Sequence, residues 1–360
     1  MNQKLVYIPI EDFTTQRGFQ LSKLQLSYEL FGKKLGTAPV VLVNHALTAN
    51  SSVIGKMGWW QDIIGENKTI DTTKFTIISF NIPGNGYDGL LIENYQDFVA
   101  KDIANLFLIG IRQLGVLKLH AIIGGSLGGG IAWEMAALKP SIAKHIIPIT
   151  ADWKSTDWLI ANCSIQEQFL LNSKYPVHDA RMHAMMCYRT PASYKAKFNR
   201  SVHEELKIFN IESWLLHHGK KLQDRFQLSA YKMMNHLLRT IEVSNASNWA
   251  FELNKIKAQI HLVAIDSDLF FLAQENKETY KKMTKLNPNV FYHEIRSIHG
   301  HDAFLIEFDQ LDKILKPIFN SFNYKSKILT VLFGLLNVRI SFFYRPITKS
   351  NFNKIVKKNI

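Results

Sequence analysis

The sequence predicts an α/β protein in which helices cover both faces of a mostly parallel sheet. Short runs of β-branched and other apolar residues recur along the chain, and such runs are typical of buried strands. Segments whose apolar residues have helical spacing lie between these runs. A glycine-rich turn joins one apolar run directly to a helical segment. Strands that alternate with helices favour a parallel sheet, because a parallel connection needs a crossover.

The strand patterns fall into two stretches of the chain that are separated by a purely helical one. Strand patterns occupy 24–30, 39–44, 75–80, 119–123, 145–149, 259–265 and 289–295. Helical spacing among them occupies 96–115, 274–285 and 309–319. The stretch 151–245 differs, since it is rich in Met, Trp, His, Gln and Lys and carries helical patterns. We therefore expect a core formed by 1–150 and 246–320, with 151–245 inserted as a helical lid.

The turn after the strand at 119–123 has the pattern Gly-x-Ser-x-Gly, with Ser126 at its centre. Between a strand and a helix, this pattern predicts a nucleophile elbow, which holds the serine oxygen out at the edge of the sheet. Gly124 and Gly128 have no Cβ, so the strand and the helix can approach closely. The helix that follows, at 131–138, points its N-terminus at the serine.

A nucleophilic serine needs a base to take its proton and an acid to orient that base. In the α/β-hydrolase fold these partners follow in the order serine, acid, histidine. Asp266 and Asp268 come directly after the strand at 259–265. His299 and His301 follow the next strand. The order matches the fold, and the residues alone leave both the choice of acid and the choice of base open.

The tetrahedral intermediate formed on such a serine also needs two donors for its oxyanion. The backbone N–H of Leu127, next after the serine, is one candidate. The loop 44–49 follows an early strand and is placed to supply the other. His45 lies in that loop, where we expect it to shape the backbone rather than to act as the base.

Composition indicates a globular protein of a reducing compartment. The 360 residues are 47% hydrophobic and 20% charged. Cys163 and Cys187 are the only cysteines, so we expect no disulfide framework and a cytoplasmic location. Residues 1–7 lack the apolar core of a signal peptide. The sequence has neither a phosphate-binding P-loop nor a Cys/His zinc spacing, so we predict no metal.

The net charge of +13 is unevenly distributed. Eight basic residues lie in 321–360, which contains no acidic residue. The rest of the chain is only mildly basic, so we predict no nucleic-acid partner. The apolar run at 328–336 is followed by Asn337 and Arg339, and it is too short to span a membrane. We treat 321–360 as a separate basic, partly apolar tail, whose contact with a membrane surface we do not favour although its composition would allow it.

Six separate motifs in one order point to a family. They are His45-Ala46-Leu47-Thr48; Gly58-Trp59-Trp60 with Ile64-Gly65 and Ile70-Asp71-Thr72; Gly124-Gly125-Ser126-Leu127-Gly128-Gly129; Ala180-Arg181-Met182 with Tyr188-Arg189; Ser267-Asp268-x-Phe270; and Gly300-His301-Asp302-Ala303-Phe304. Over residues 20–319 the chain resembles the homoserine O-acetyltransferases, which are α/β-hydrolase-fold acyltransferases of methionine biosynthesis. The resemblance implies that fold, with a helical lid, and that activity.

The resemblance also implies roles for the residues of the reaction. It identifies Asp268 as the acid and His301 as the base, so the expected catalytic triad is Ser126, Asp268 and His301. Leu47 matches the second oxyanion donor of the family, beside Leu127.

Three further residues match substrate contacts of the family. Arg181 matches the arginine that holds the homoserine carboxylate, and Tyr188 matches a tyrosine near the substrate. Asp302 matches the aspartate that contacts the homoserine ammonium. This arrangement is chemically sensible, because a guanidinium grips a carboxylate through two parallel hydrogen bonds.

The family's mechanism is ping-pong, with acetyl-CoA as co-substrate, L-homoserine as acceptor and no bound cofactor. The resemblance also implies a homodimer formed through the lid helices. The segment 81–97, near the mouth of the site, is shorter than in the family, and the lid segment 151–178 matches poorly. Alternative activities are therefore transfer from succinyl-CoA, transfer to serine, and hydrolysis by a related esterase or thioesterase.

Overall fold

The computed structural model describes residues 5–55 and 58–320 and has one large sheet at its centre. The strands of the described residues are β1 (Val6–Thr14), β2 (Gln20–Gly32), β3 (Val40–Asn44), β4 (Ile64–Gly65), β5 (Ile70–Asp71), β6 (Thr76–Phe80), β7 (Leu119–Gly125), β8 (Ala143–Ile149), β9 (Gln259–Ile265) and β10 (Val290–Ile295). The large sheet has the order β1-β2-β6-β3-β7-β8-β9-β10, and β4 pairs with β5 in a small second sheet. Strands β3 and β6 to β10 are parallel, whereas β1 and β2 are antiparallel to their neighbours.

The prediction of a mostly parallel sheet is confirmed, and one edge strand was missed. Strand β1 pairs with β2, whose buried half is the predicted strand at 24–30. In β1 only Ile8, Ile10 and Phe13 are buried, and Pro9 lies between the first two. A proline is tolerated on an edge strand but weakens the strand pattern in the sequence.

Ten α-helices are present in the described part of the chain. They are α1 (Ala100–Gln113), α2 (Leu127–Leu138), α3 (Asp157–Asn172), α4 (Pro176–Tyr188), α5 (Pro191–Phe198), α6 (Asn210–Gln223), α7 (Leu228–Arg239), α8 (Trp249–Leu253), α9 (Ala273–Met283) and α10 (Phe308–Asn320). Two short 3-10 helices, Tyr95–Asp97 and Gly300–Leu305, complete the set. Among these residues, no helix has the length and apolar character needed to cross a membrane.

Five helices, α3 to α7, lie between β8 and β9 in the segment expected to form the lid. The chain divides into two units, Met1–Lys316 and Pro317–Ile360, so lid and core belong to the same unit. Of the second unit only 317–320 is described. The predicted basic tail at 321–360 lies outside the described residues.

Helix α2 is enclosed on all sides and is hydrogen-bonded to the end of the lid segment, which in turn pairs with its beginning. Its first ten residues, Leu127 to Ala136, are all buried. Glu134 accepts a hydrogen bond from the backbone N–H of Glu242 at 3.0 Å, and burial raises the pKa of Glu134 to about 7. Glu242 also forms a β-bridge with Lys154, near the start of the lid. The two ends of the lid are thus joined to each other and to α2.

A row of histidines crosses β8, β9 and β10 on one face of the sheet. His145 Nδ1 lies 3.2 Å from His261 Nε2, and His261 Nδ1 lies 3.4 Å from His293 Nε2. Each contact needs one donor and one acceptor, which neutral imidazoles supply. Burial, reinforced by neighbouring imidazoles, lowers the pKa of His145 to about 3 and that of His261 to about 4.

The histidine row predicts that the protein loses stability in mild acid. As the pH falls from 6.5 towards 4, His261 binds a proton in the unfolded chain but stays neutral in the folded protein. Its contribution to the free energy of unfolding is therefore complete above pH 6.5 and is lost as the pH falls towards 4. The variant His261→Gln keeps a donor and an acceptor but does not titrate. We expect the drop in the free energy of unfolding between pH 7.5 and pH 5 to be about 2 kcal/mol smaller in this variant.

Urea denaturation at the two pH values measures this difference. His217 is exposed on α6, so His217→Gln is the matched control and should leave the pH dependence as it is in the wild type. An identical acid loss in His261→Gln and the wild type would contradict the interpretation.

Candidate active site

Ser126 occupies a strained turn between β7 and α2. Its backbone has φ 55° and ψ −124°, a conformation that side-chain-bearing residues rarely adopt. Its N–H donates to the carbonyl of Ile149 at 2.9 Å, and its carbonyl accepts from the N–H groups of Gly129 and Gly130 at 2.9 and 3.1 Å. These bonds hold the turn at the carboxyl end of the sheet, as the predicted elbow requires.

The two outer glycines of the Gly-x-Ser-x-Gly pattern are required by close backbone approach. A Cβ on Gly124 would lie 2.5 Å from the carbonyl carbon of Gly128. A Cβ on Gly128 would lie 2.3 Å from the carbonyl oxygen of Asn44, at the end of β3. Both distances are far below contact distance, and the opposing atoms are backbone. The elbow therefore brings β7, α2 and the loop after β3 together at one point.

Asp268 and His301 form a buried pair, and this geometry separates them from their neighbours in sequence. Asp268 Oδ2 lies 2.8 Å from His301 Nδ1, and their side chains are 0% and 4% exposed. Asp266 instead accepts from the Ser297 N–H at 3.0 Å. His299 Nδ1 lies 3.0 Å from Ser193 Oγ. Of the four candidates, only Asp268 and His301 have the acid–base contact of a catalytic triad.

The carboxylate of Asp268 is held in position by the backbone. Its Oδ1 accepts hydrogen bonds from the N–H groups of Phe270 and Phe271, at 2.7 and 3.0 Å. Its Oδ2 is thereby directed at Nδ1 of His301. With Nδ1 engaged, the Nε2 atom of His301 is the one left to exchange a proton with a serine hydroxyl.

Aromatic rings surround the imidazole of His301. The rings of Tyr188, Phe270, Phe271 and Phe304 have centroids 5.2 to 5.9 Å from it. Phe304 also joins this turn to the elbow, since a Cβ on Gly125 would lie 2.5 Å from the Phe304 ring. The elbow before Ser126 and the turn that carries His301 are therefore in contact.

Leu127 and Leu47, the predicted oxyanion donors, lie at the start of α2 and in the loop after β3. Leu127 is the first residue of α2, where a backbone N–H has no partner within the helix. Neither the Leu127 nor the Leu47 N–H donates a hydrogen bond to another described residue. Asn44 Nδ2 donates to the carbonyl of Gly128 at 3.2 Å, which ties this loop to α2.

His45 shapes the oxyanion loop and remains neutral. Its Nε2 accepts a hydrogen bond from the Ile82 N–H at 2.9 Å, and its Nδ1 lies 2.8 Å from the Ala46 carbonyl, to which it donates. Complete burial lowers the pKa of His45 to about 4. Both ring nitrogens are thus engaged by the backbone, so this residue is not available as a base.

The polar residues expected to contact substrate lie beside the base. The guanidinium carbon of Arg181 lies 5.5 Å from the Tyr188 ring centroid, and that ring lies 5.4 Å from the imidazole of His301. Burial raises the pKa of Tyr188 well above its ordinary value, so its hydroxyl is neutral. Asp302 follows the base directly in the same 3-10 helix.

Two lid arginines at the site were missed by the reasoning from sequence. Arg189 Nε donates to Asp302 Oδ2 at 2.8 Å, so one oxygen of the expected ammonium ligand is already engaged. Arg225 Nη1 donates to the Thr48 carbonyl at 3.1 Å, in the oxyanion loop. Arg189 was part of the Tyr-Arg motif and could have been singled out. Nothing in the local sequence of Arg225 indicates its partner, which lies 177 residues away.

No metal centre is present among residues 5–55 and 58–320, since no three His, Cys, Asp or Glu side chains there are grouped so that they could hold an ion. The chemistry that this arrangement offers is nucleophilic attack by a serine with a histidine base, two amide donors for the oxyanion and nearby guanidinium groups.

Comparisons with known proteins support the fold described above. Residues 39–168 match a family model described as the alpha/beta hydrolase fold. The homoserine O-acetyltransferase of Chloroherpeton thalassium is 30% identical over 357 residues, covering 89% of this chain and 92% of that protein. Among solved structures, the L374D mutant of esterase E22 has a TM-score of 0.80 at 19% identity, covering 88% of this chain and 99% of that one. The homoserine O-acetyltransferase from Bacillus anthracis has a TM-score of 0.77 at 19% identity, with coverages of 88% and 97%.

The strain at Ser126 predicts an unusual order of stability among its variants. Strain at such a backbone conformation costs roughly 1–3 kcal/mol, and glycine relieves it at a cost of about 0.4–1 kcal/mol in chain entropy. We expect Ser126→Gly to be about 1 kcal/mol more stable than Ser126→Ala, measured by urea denaturation.

Ser213, inside helix α6, provides the control for this comparison. There glycine should be the less stable variant by about 1 kcal/mol, because alanine is the better helix former. If Ser126→Ala is as stable as Ser126→Gly, the turn is not strained.

Proposed function

The chain belongs to the homoserine O-acetyltransferase family and is an acyltransferase, and we propose that it moves an acetyl group from acetyl-CoA to the hydroxyl of L-homoserine. The observation that carries the proposal is the buried Asp268–His301 pair, which lies next to a lid arginine stacked on Tyr188. A histidine base beside a guanidinium suits an acceptor that has both a hydroxyl group and a carboxylate.

In the first half-reaction, the Ser126 hydroxyl attacks the thioester carbonyl of acetyl-CoA while His301 Nε2 takes the serine proton. The N–H groups of Leu47 and Leu127 stabilise the oxyanion that forms. Asp268 stabilises the imidazolium through the 2.8 Å contact. The intermediate collapses with breakage of the C–S bond, the thiol of coenzyme A leaves with the proton from His301, and an acetyl ester remains on Ser126.

In the second half-reaction, the acceptor hydroxyl replaces the thiol. His301 takes the hydroxyl proton, the oxygen attacks the acetyl ester, and Ser126 leaves with that proton restored. Arg181 holds the acceptor carboxylate. The second oxygen of Asp302 is available to the acceptor ammonium, while the first accepts from Arg189. No resident cofactor takes part in either half-reaction.

Transfer requires that the acceptor reach the acetyl ester before water does. The aromatic rings around His301 support this, because they place apolar surface beside the base. The short segment at 81–97 favours the opposite outcome if it opens the mouth of the site. Hydrolysis is therefore the second candidate, and the likeness to esterase E22 shows that the fold accommodates both kinds of enzyme.

Release of coenzyme A from acetyl-CoA and from succinyl-CoA, each with and without L-homoserine or L-serine, tests the proposal. We expect release from acetyl-CoA that depends on homoserine, with O-acetylhomoserine identified by mass. Ser126→Ala should abolish release. Faster release from succinyl-CoA would change the donor, and faster release with serine would change the acceptor. Release that is indifferent to both acceptors would identify a hydrolase.

Arg181→Gln separates recognition of the acceptor from acylation by the donor. We expect the KM for homoserine to rise roughly 10- to 100-fold, since a charge-assisted pair of hydrogen bonds is lost. The burst of coenzyme A release that reports acylation should be retained. Arg200, an exposed lid arginine over the ring of Phe209, supplies the control variant Arg200→Gln. An unchanged KM for homoserine would show that Arg181 does not bind the acceptor.

A further inference from the structure

A cleft in the lid meets the oxyanion loop. It has a volume of about 620 Å³ and is lined by 174–177, at the start of α4, and by 223–228, between α6 and α7. Arg225 is one of its lining residues and also donates to the Thr48 carbonyl at 3.1 Å. Thr48 is next to Leu47 in the chain. A molecule that fills this cleft therefore ends beside the loop that receives the thioester carbonyl.

The cleft carries an excess of positive charge. Lys174 and Arg225 line it, and both side chains are exposed. Its one acidic lining residue, Asp224, is neutralised by Lys220, whose Nζ lies 3.0 Å from the carboxylate. Such a group of cations attracts a polyanion.

The acyl donor of the proposed reaction has the matching form. An acyl-CoA has its thioester at one end and its phosphate groups at the other. While the thioester is at Ser126, the chain must therefore extend through an opening, and the phosphate groups lie outside the site. Guanidinium and ammonium groups are the side chains that bind phosphate oxygens. Gln223 and Gln227 add neutral donors and acceptors to the same wall.

We propose that this cleft, between 174–177 and 223–228, binds the phosphorylated end of the acyl-CoA donor, with Lys174 and Arg225 contacting its phosphates. The assignment rests on the proposed function, because it concerns the donor of that reaction. It makes the lid the element that recognises coenzyme A, whereas the core carries the acyl transfer.

The test compares two donors that carry the same acetyl thioester. Acetyl-CoA has the phosphates, and S-acetyl-N-acetylcysteamine lacks them. The measured quantity is the ratio of kcat/KM for acetyl-CoA to kcat/KM for the truncated donor, at saturating homoserine. For Lys174→Gln we expect this ratio to fall about tenfold. For Arg225→Gln it should fall at least as far, with an additional loss for both donors, because the contact with Thr48 is also removed.

Two further variants make the outcome specific. Arg225→Lys keeps the charge and should recover most of the ratio. Arg200→Gln, which removes an exposed cation of the lid outside the cleft, should leave the ratio within twofold of the wild type.

Failure of this inference can be distinguished from failure of the proposed function. A wild type that releases no coenzyme A from acetyl-CoA overturns both. Normal transfer from acetyl-CoA, with an unaltered ratio in Lys174→Gln and Arg225→Gln, overturns the cleft assignment alone. A change confined to the KM for homoserine would place Arg225 with Arg181 in the acceptor pocket and would also overturn it.

Discussion

The close approach of three backbone segments at the elbow is the constraint on which the rest of the site depends. Gly124 and Gly128 leave no room for side chains between β7, α2 and the loop after β3, and the Asn44 amide bonds across the same gap. This contact sets the distance between the N–H of Leu127 and the loop that carries Leu47. Ser126 lies between these two glycines and has a strained backbone conformation with φ 55°. The helix that follows it, α2, is buried over its first ten residues.

Burial shifts the pKa values of several interior groups in the direction that favours their neutral forms. Glu134 has one backbone donor, and its pKa rises to about 7. His45 is engaged by the backbone at both nitrogens and stays neutral, as do the imidazoles of the row across β8 to β10. The Asp268 side chain has more partners, since its Oδ1 accepts from two backbone N–H groups and its Oδ2 contacts His301. These contacts satisfy the polar atoms of a side chain that is buried beside the elbow.

The lid segment 151–245 and the core contribute different groups to the site. The core presents Ser126, the Asp268–His301 pair and the N–H groups of Leu47 and Leu127 near the carboxyl ends of parallel strands. Three arginines of the lid segment contact residues of the site. Arg181 lies over the Tyr188 ring, Arg189 donates to Asp302, and Arg225 donates to the Thr48 carbonyl. The hydrogen bond from the Glu242 N–H to Glu134 joins the end of the lid segment to α2, the helix that begins at the elbow. In the proposed reaction, the arginines of the lid segment recognise the substrates and the core carries out the acyl transfer.

The sequence by itself determined the parallel sheet, the elbow and the order of the acid and the base, because strand runs and glycine turns are local patterns. It did not reveal β1, whose few buried side chains and central proline weaken its pattern. The residues alone could not decide between Asp266 and Asp268 as the acid, or between His299 and His301 as the base. The resemblance of the motifs to the family selected Asp268 and His301. Only the tertiary structure decided which side chains meet. The Asp268–His301 pair and the partners of Arg189 and Arg225 join segments 33 to 177 residues apart, and such contacts depend on strand register and lid packing.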